Sequence, residues 1–482
     1  MAFKLPDLRR EPQYIAIYES MKEDIVRGRA AERERLPSIR KLAASLSVSV
    51  TPVETAYAQL VAEGFVENRP RQGYYVLPLP ETYGRLRLET TEPAADGPGP
   101  IQAAPSSLGA EPSFAFDFHL SKNDFASFPY DAWKKLYNRV LREEGRELLF
   151  YGDPQGEYGL RREIARYLAS FRGVVCGPER IVVGAEQFVL MSLLAMMLRE
   201  RVTALATEEP GYRLVPATFA SFGVRIAPIE LDEHGLDVTR LYESGAQAVC
   251  VSPSHQFPLG IVMPVARRLQ LLEWARETGG YIVEDDYGGE FRYAGQPIPA
   301  LQGLVPNDRV IYLGGFSQAF APDVCLHYMV LPSELVDRFR ALRRHLLFEP
   351  SASRIQQRVM ERFIRNGSFE KHIRKMRTVY RRKNEALVAA LRSRFRGAAT
   401  VIGFQAGLHV ILKLRAVASE DELLQAAAAA GVLVASAAFY WEPRETSDER
   451  AFIIGFGAVP LEKIDAGVAR LREAWTPYLG GL

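Results

Sequence analysis

Apolar residues return every three or four positions from Tyr14 to Val26, the spacing of one helical face. Leu36-Pro37-Ser38-Ile39-Arg40-Lys41-Leu42-Ala43 then places Ser38 near the start of a second, short helix. Val48-Ser49-Val50-Thr51-Pro52-Val53 opens a third, which runs on through Ala56, Tyr57 and Leu60. The period changes after Glu63-Gly64. Phe65-Val66-Glu67 and Tyr74-Tyr75-Val76 read as two strands whose connecting tip holds Arg69, Arg71 and Gly73. From Leu77 to about Pro112 the pattern lapses into Pro, Ala, Gly and Ser, a composition that buries too little apolar surface to order itself. Beyond it, apolar runs such as Ile181-Val182-Val183, Ala248-Val249-Cys250-Val251 and Val310-Ile311-Tyr312-Leu313 alternate with helical patterns at 191–198 and 267–276. That alternation predicts an α/β domain with a largely parallel sheet. From about Phe348, helical segments lead into a short α+β tail with strands expected at 403–414 and 452–456.

The expected organisation is thus a head over residues 10–77, a flexible linker over 78–112 and a body over 113–482. The body divides into a large part, about 150–345, and a small one, about 346–482. With 482 residues, 48% hydrophobic, 24% charged and a net charge of +2, the chain has material for a large core plus a further domain. Met1-Ala2-Phe3-Lys4-Leu5-Pro6 lacks the apolar run of a signal peptide, and no uncharged apolar stretch approaches the roughly 20 residues of a membrane span. A cytoplasmic location with no membrane contact is expected. Cys176, Cys250 and Cys325 are widely spaced, which predicts neither a disulfide framework nor a zinc site. Basic residues are unequal, 11 lysines against 49 arginines, and no lysine falls between Lys135 and Lys371.

A short helix, a tight turn and a second helix make a helix-turn-helix arrangement, and arginines on a following hairpin tip are placed to meet phosphates or a minor groove. In order and spacing, about 60 residues of the head resemble the winged helix of the GntR regulators. The resemblance implies that Ser38 and Arg40 touch the backbone of double-stranded DNA. It puts Ser49, Thr51 and Thr55 on the recognition helix and makes Arg69, Arg71 and Gly73 the wing contact. Taken singly, Arg40 and Arg71 also read as solvated charges. Val50 stands where those regulators usually carry arginine, which predicts a weaker phosphate contact or a different operator.

In the body, Tyr151-Gly152-Asp153-Pro154-Gln155-Gly156-Glu157-Tyr158-Gly159-Leu160-Arg161, Thr207-Glu208-Glu209-Pro210-Gly211-Tyr212, Pro253-Ser254-His255-Gln256-Phe257-Pro258-Leu259-Gly260 and Glu284-Asp285-Asp286-Tyr287 follow one another with the spacing of fold-type I aminotransferases. Head and body together resemble the MocR subfamily of GntR regulators. The implied architecture is a winged helix-turn-helix joined to an α/β aminotransferase-like domain, with a mixed, mostly parallel sheet and a small α+β C-terminal subdomain. The resemblance also implies pyridoxal phosphate as the family cofactor. Asp285 would face the pyridine nitrogen, Tyr287 the ring hydroxyl, and the helix start Gly184-Ala185-Glu186-Gln187 the phosphate. Tyr212 and His255 belong to the same implied pocket. A head-to-tail homodimer is implied as well.

Phe316-Ser317-Gln318-Ala319-Phe320 departs from that pattern. In the enzymes it resembles, the residue after Ser317 is the lysine that carries the cofactor; Gln318 is an amide and cannot form a Schiff base. Cys325 stands where the family places a phosphate-binding arginine, and Leu326, His327 and Tyr328 follow it. Glu186 puts a carboxylate at the phosphate end, and Ile453 replaces an arginine that in many relatives holds a substrate carboxylate. Asp285 reads otherwise as a cap or loop carboxylate, Tyr287 as packing and His255 as a core histidine. His372 and Arg374 match a family helix and read best as structural. The favoured expectation is a DNA-binding transcription regulator and not an enzyme, its body a catalytically dead effector sensor and dimerisation unit without covalent cofactor. Two alternatives remain open: a regulator that binds pyridoxal phosphate or another small molecule noncovalently, and a working aminotransferase.

Overall fold

The computed structural model describes residues 12–79, 114–120, 122–293, 295, 297–346, 349–441 and 449–479. The first six residues and nearly all of the Pro-, Ala- and Gly-rich linker lie outside them. The chain forms two units, Met1–Glu111 and Pro112–Leu482.

The head is built from α1 (Gln13–Val26), α2 (Ile39–Leu46), α3 (Val50–Ala62), β1 (Val66–Arg69) and β2 (Gly73–Val76). Ser38 starts α2 by accepting from the Lys41 amide at 3.3 Å, and Ser47 ends it in the left-handed region with φ 56°. Three helices and a hairpin enclose one small core of Ile17, Met21, Leu42, Val53, Ala56, Tyr57 and Leu60. Tyr57 is fully buried, and its hydroxyl donates to the Pro37 carbonyl at 2.7 Å, which ties α3 to the entry of α2. The hairpin runs in register from Val66 opposite Val76 to Arg69 opposite Gly73. Leu36 N also donates to Tyr74 O, so the segment before α2 lies alongside β2.

The body holds an eight-stranded sheet in the order β4-β11-β10-β9-β8-β5-β6-β7. Its strands are β4 (Ile181–Gly184), β5 (Ala204–Glu209), β6 (Arg225–Asp232), β7 (Gly235–Leu236), β8 (Ala248–Val251), β9 (Tyr281–Asp285), β10 (Val310–Gly315) and β11 (His327–Val330). The central strands β10, β9, β8, β5 and β6 are parallel, while β4, β11 and β7 pair antiparallel at the edges. The inner strands β5, β8 and β9 are buried almost throughout, which is why their apolar runs do not alternate. A second, antiparallel sheet of order β12-β13-β16-β15 combines Ala399–Ile402, His409–Arg415, Glu449–Gly455 and Ala435–Ser436. β3 (Phe116–Asp117) pairs with β14 (Val432–Leu433), so the start of the body is fastened to its C-terminal part.

Two boundaries differ from the sequence reading. The strand expected at 403–414 begins only at His409, because Gly403 and Gly407 turn the chain at φ 76° and 75°. The helical pattern expected from 191 begins at Gln187, directly after β4. All three cysteines are free. Among the described residues no helix is long and apolar enough to cross a membrane, and no cluster of His, Cys, Asp and Glu could hold a metal ion.

Candidate functional site

On the head, α3 turns Val53, Ala56, Tyr57 and Leu60 inward and leaves Val50, Thr51, Glu54, Thr55, Ala58 and Gln59 exposed. Thr55 Oγ1 donates to the Thr51 carbonyl at 3.0 Å, so the two threonines lie one turn apart on that face. Ser49 is the N-cap residue, exposed and without a side-chain capping bond. Arg40 is exposed on the first turn of α2. Ser38 is exposed but already serves α2 as its cap.

The wing tip is a tight turn in which Gln72 N donates to Arg69 O at 2.9 Å. Pro70 takes its second position, and Arg71 takes the third with φ 65°, where glycine is the usual occupant. Holding a side chain there costs about 1 kcal/mol. Arg71 is exposed. Arg69, expected at the wing contact, has its guanidinium 4.5 Å from the Tyr75 ring centroid and pairs with Glu67 at 2.5 Å. Gly73 has φ 105°, and a Cβ there would meet the Arg35 guanidinium at 3.3 Å.

In the body, the C-terminal ends of β9 and β10 open onto a cavity of about 320 Å³, as parallel α/β sheets commonly arrange. Of the expected pocket residues, Gln187, Tyr212, Asp285, Tyr287, Ser317 and Gln318 line it. Ala185, Glu186, His255 and Cys325 do not. Cys325 is exposed at φ 48°, closing the short turn Pro322–Val324, and the residues of this segment that line the cavity are His327, two residues on, and Tyr328. Glu186 is exposed as the N-cap of the helix Gln187–Leu198. His255 is buried with no hydrogen-bond partner on either ring nitrogen, and burial together with His409 and Arg292 holds it neutral, near 3. His372 is buried against Phe320, as packing would have it, and Arg374 is exposed.

Asp285 ends β9 as a buried carboxyl. Burial raises its pKa to about 7, partly offset by a hydrogen bond from Gln187. Its neighbour Asp286 is neutralised by Arg172 at 2.6 Å and receives the Tyr312 hydroxyl at 2.5 Å. Tyr287 Oη is buried with no partner. Phe257, Tyr212, Tyr287 and Tyr440 form an aromatic wall, with Phe257 edge-on to Tyr440 at 4.7 Å, Tyr287 at 5.6 Å and Tyr212 at 5.9 Å.

His327 was read from sequence only as a departure from the family run; the fold gives it a place. It sits opposite Gly315 across β10 and β11, where a Cβ on Gly315 would meet its ring at 2.5 Å. Its Nδ1–H donates to the Ala185 carbonyl at 3.1 Å, and the Ser317 hydroxyl donates to Nε2 at 3.0 Å. The Ala185 amide is taken by Ser351 Oγ at 3.1 Å. Asn123 Nδ2 donates to the Ser317 and Gln318 carbonyls at 2.9 and 3.2 Å and fixes that turn. The sequence reading missed Asn123, His327, Ser351 and His409.

Residues 13–76 match the family described as bacterial regulatory proteins, gntR family, and residues 117–465 match aminotransferase class I and II. The chain is 37% identical to the uncharacterized HTH-type transcriptional regulator YhdI of Bacillus subtilis strain 168, over 98% of this chain and 97% of that one. It belongs to the HTH-type transcriptional regulators that join these two domains. The regulator is also 30% identical to the probable rhizopine catabolism regulatory protein MocR of Rhizobium meliloti, over 96% and 94% of the two chains. Its body shares the fold of the multiple substrate aminotransferase of Thermococcus profundus, with a TM-score of 0.68 at 24% identity over 77% of this chain and 93% of that one.

Pyridoxal phosphate is the cofactor of the aminotransferase class, and it asks three things of a pocket: an amine, a phosphate grip and an acid for the ring nitrogen. In this regulator Asp285 fits the last. Among the described residues no lysine or arginine lines the cavity, and the Ala185 amide and Ser317 hydroxyl at its phosphate end are bonded to Ser351 and His327. The residues present do not fit a covalently held, phosphorylated cofactor.

Proposed function

We propose that this regulator binds duplex DNA through α3 and the wing tip, and that its body has lost covalent pyridoxal phosphate chemistry and serves as effector sensor and dimerisation unit. Gln318 in the cavity carries the reading, since an amide at that position has no nucleophilic nitrogen for an aldehyde. His327, filling the phosphate end, supports it from a second side. On the head, Thr51, Thr55, Arg40 and Arg71 would make the contact, with Ser38, Ser49, Arg69 and Gly73 shaping it. Leu149, Phe150 and Tyr151 are 85%, 75% and 68% exposed in succession, an apolar surface that supports a second copy of the chain as partner. A head-to-tail homodimer would present two winged helices to a two-part operator.

Footprinting of the full chain on DNA upstream of its own gene tests the reading. A protected, two-part site is expected, unchanged by added pyridoxal phosphate. Absence of sequence-specific protection, or turnover of an amino donor by the same preparation, would sink it.

A further inference from the structure

We infer that the body's cavity takes a small organic monocation without phosphate or carboxylate, namely a protonated aromatic amine. This rests on the sensor reading above and names the chemistry of its effector. Charge carries the first step. Asp286 is satisfied by Arg172, so Asp285 is the one carboxyl of the lining without an ionic partner, and no lysine or arginine of the described residues balances it there. The other ionisable bases at the wall are His119, His327 and His409. His327 is consumed by Ala185 and Ser317.

Hydrogen-bonding capacity carries the second step. His409 is 1% exposed and lines the cavity; its Nε2–H donates to the Pro258 carbonyl at 3.1 Å, which leaves Nδ1 a bare acceptor, and that atom has no partner. Asp285 accepts from Gln187, and Tyr287 Oη is unpartnered. A buried acceptor left unmet costs about 1–3 kcal/mol, so a ligand that brings an N–H group to His409 Nδ1 gains by it. A carboxylate or phosphate brings more acceptors and a repelled charge. The walls agree: Phe257, Tyr212 and Tyr440 line the cavity, and aromatic faces attract cations. Ile453, 1% exposed, covers the cavity with hydrocarbon where an anion would need a base.

Calorimetry on the full chain with charge-opposed probes tests this. Tyramine, benzylamine and pyridoxamine are the cations; 4-hydroxyphenylacetate, benzoate and pyridoxal 5′-phosphate are the anions. At least one amine is expected to bind about tenfold or more tighter than its anionic counterpart, and Asp285→Asn to weaken it by about tenfold or more. Equal or tighter binding of the anions, binding of no amine, or an Asp285→Asn variant with unchanged amine affinity would overturn it. The wild-type comparison stands without the variant. A visible aldimine with pyridoxal 5′-phosphate would instead refute the sensor reading itself, so the two failures are distinguishable.

Discussion

The head and the body treat charge in opposite ways. At the wing tip the chain holds Arg71 in a left-handed turn position where glycine would be easier, so a cation is kept at a cost in backbone energy. In the body, no lysine or arginine of the described residues lines the cavity; Gln318 and Ile453 do, and His327 closes the end beside Ala185. Burial lowers the pKa of His327, so it brings little charge to that end. One unit exposes a cation on a tight turn, while the other lines its cavity with no lysine or arginine among the described residues. The contrast separates a fold from its chemistry: the body keeps an aminotransferase fold and a buried acid at the end of β9, with no lysine or arginine of the described residues lining the cavity beside it.

Five single substitutions would break or sharpen that contrast. The largest effect is expected from Tyr57→Ala, which empties the centre of the head and removes its bond to Pro37. It should cost about 3–5 kcal/mol and abolish DNA binding. Calorimetric melting should show loss of the head's transition with that of the body retained.

Asp285→Asn comes next and acts in the body. An acid whose pKa is raised from 3.8 to about 7 on folding binds its proton more tightly in the native state, so stability falls as pH climbs from roughly 4 to 7 and the penalty is complete above 7. Glu208 and Asp286, which face it, add to the cost of its charge. The variant should therefore be more stable by a few kcal/mol at pH 8, a gain that shrinks to nothing below pH 4. Thermal melts across that range check it.

Arg71→Gly should move stability and function apart. Relief of the left-handed position should stabilise the head by up to about 1 kcal/mol, while the loss of one phosphate contact should lower the salt slope of DNA binding by about 1. Arg40→Ala should reduce the slope equally without the gain in stability. Binding isotherms at several salt concentrations, with chemical denaturation, separate the two. The smallest change is expected from Gln318→Lys alone. Absorbance with added pyridoxal phosphate should show no stable aldimine, because His327 still occupies the phosphate end; His327→Gly and Cys325→Arg added to it should restore one.

Much of this was legible in the sequence where local rules act alone. Ser38 as a helix start, the threonines of α3 and the hairpin from Val66 to Val76 follow from caps, period and turn chemistry, and Asp285 and Gln318 could be read by spacing. What was not legible depends on register between distant strands. Cys325 and His327 are two residues apart on one run, yet only the pairing of His327 with Gly315 decides which one enters the cavity. The alternation of β11 and the paired glycines Gly314 and Gly315 were the available signal. The stacking of Arg69 on Tyr75 was hidden for a similar reason, since that ring comes beside it only once the hairpin closes. His409 gains its bare nitrogen from a bond to Pro258, more than 150 residues away, which no local pattern marks.

The central claim, a DNA reader whose body has no covalent cofactor chemistry, is tested most directly by borohydride reduction of the full chain after incubation with pyridoxal phosphate, followed by peptide mass mapping. The account predicts no stoichiometric adduct on any residue of the body's cavity, in a preparation that still protects its operator. One phosphopyridoxyl group per chain, fixed at that cavity, would contradict it.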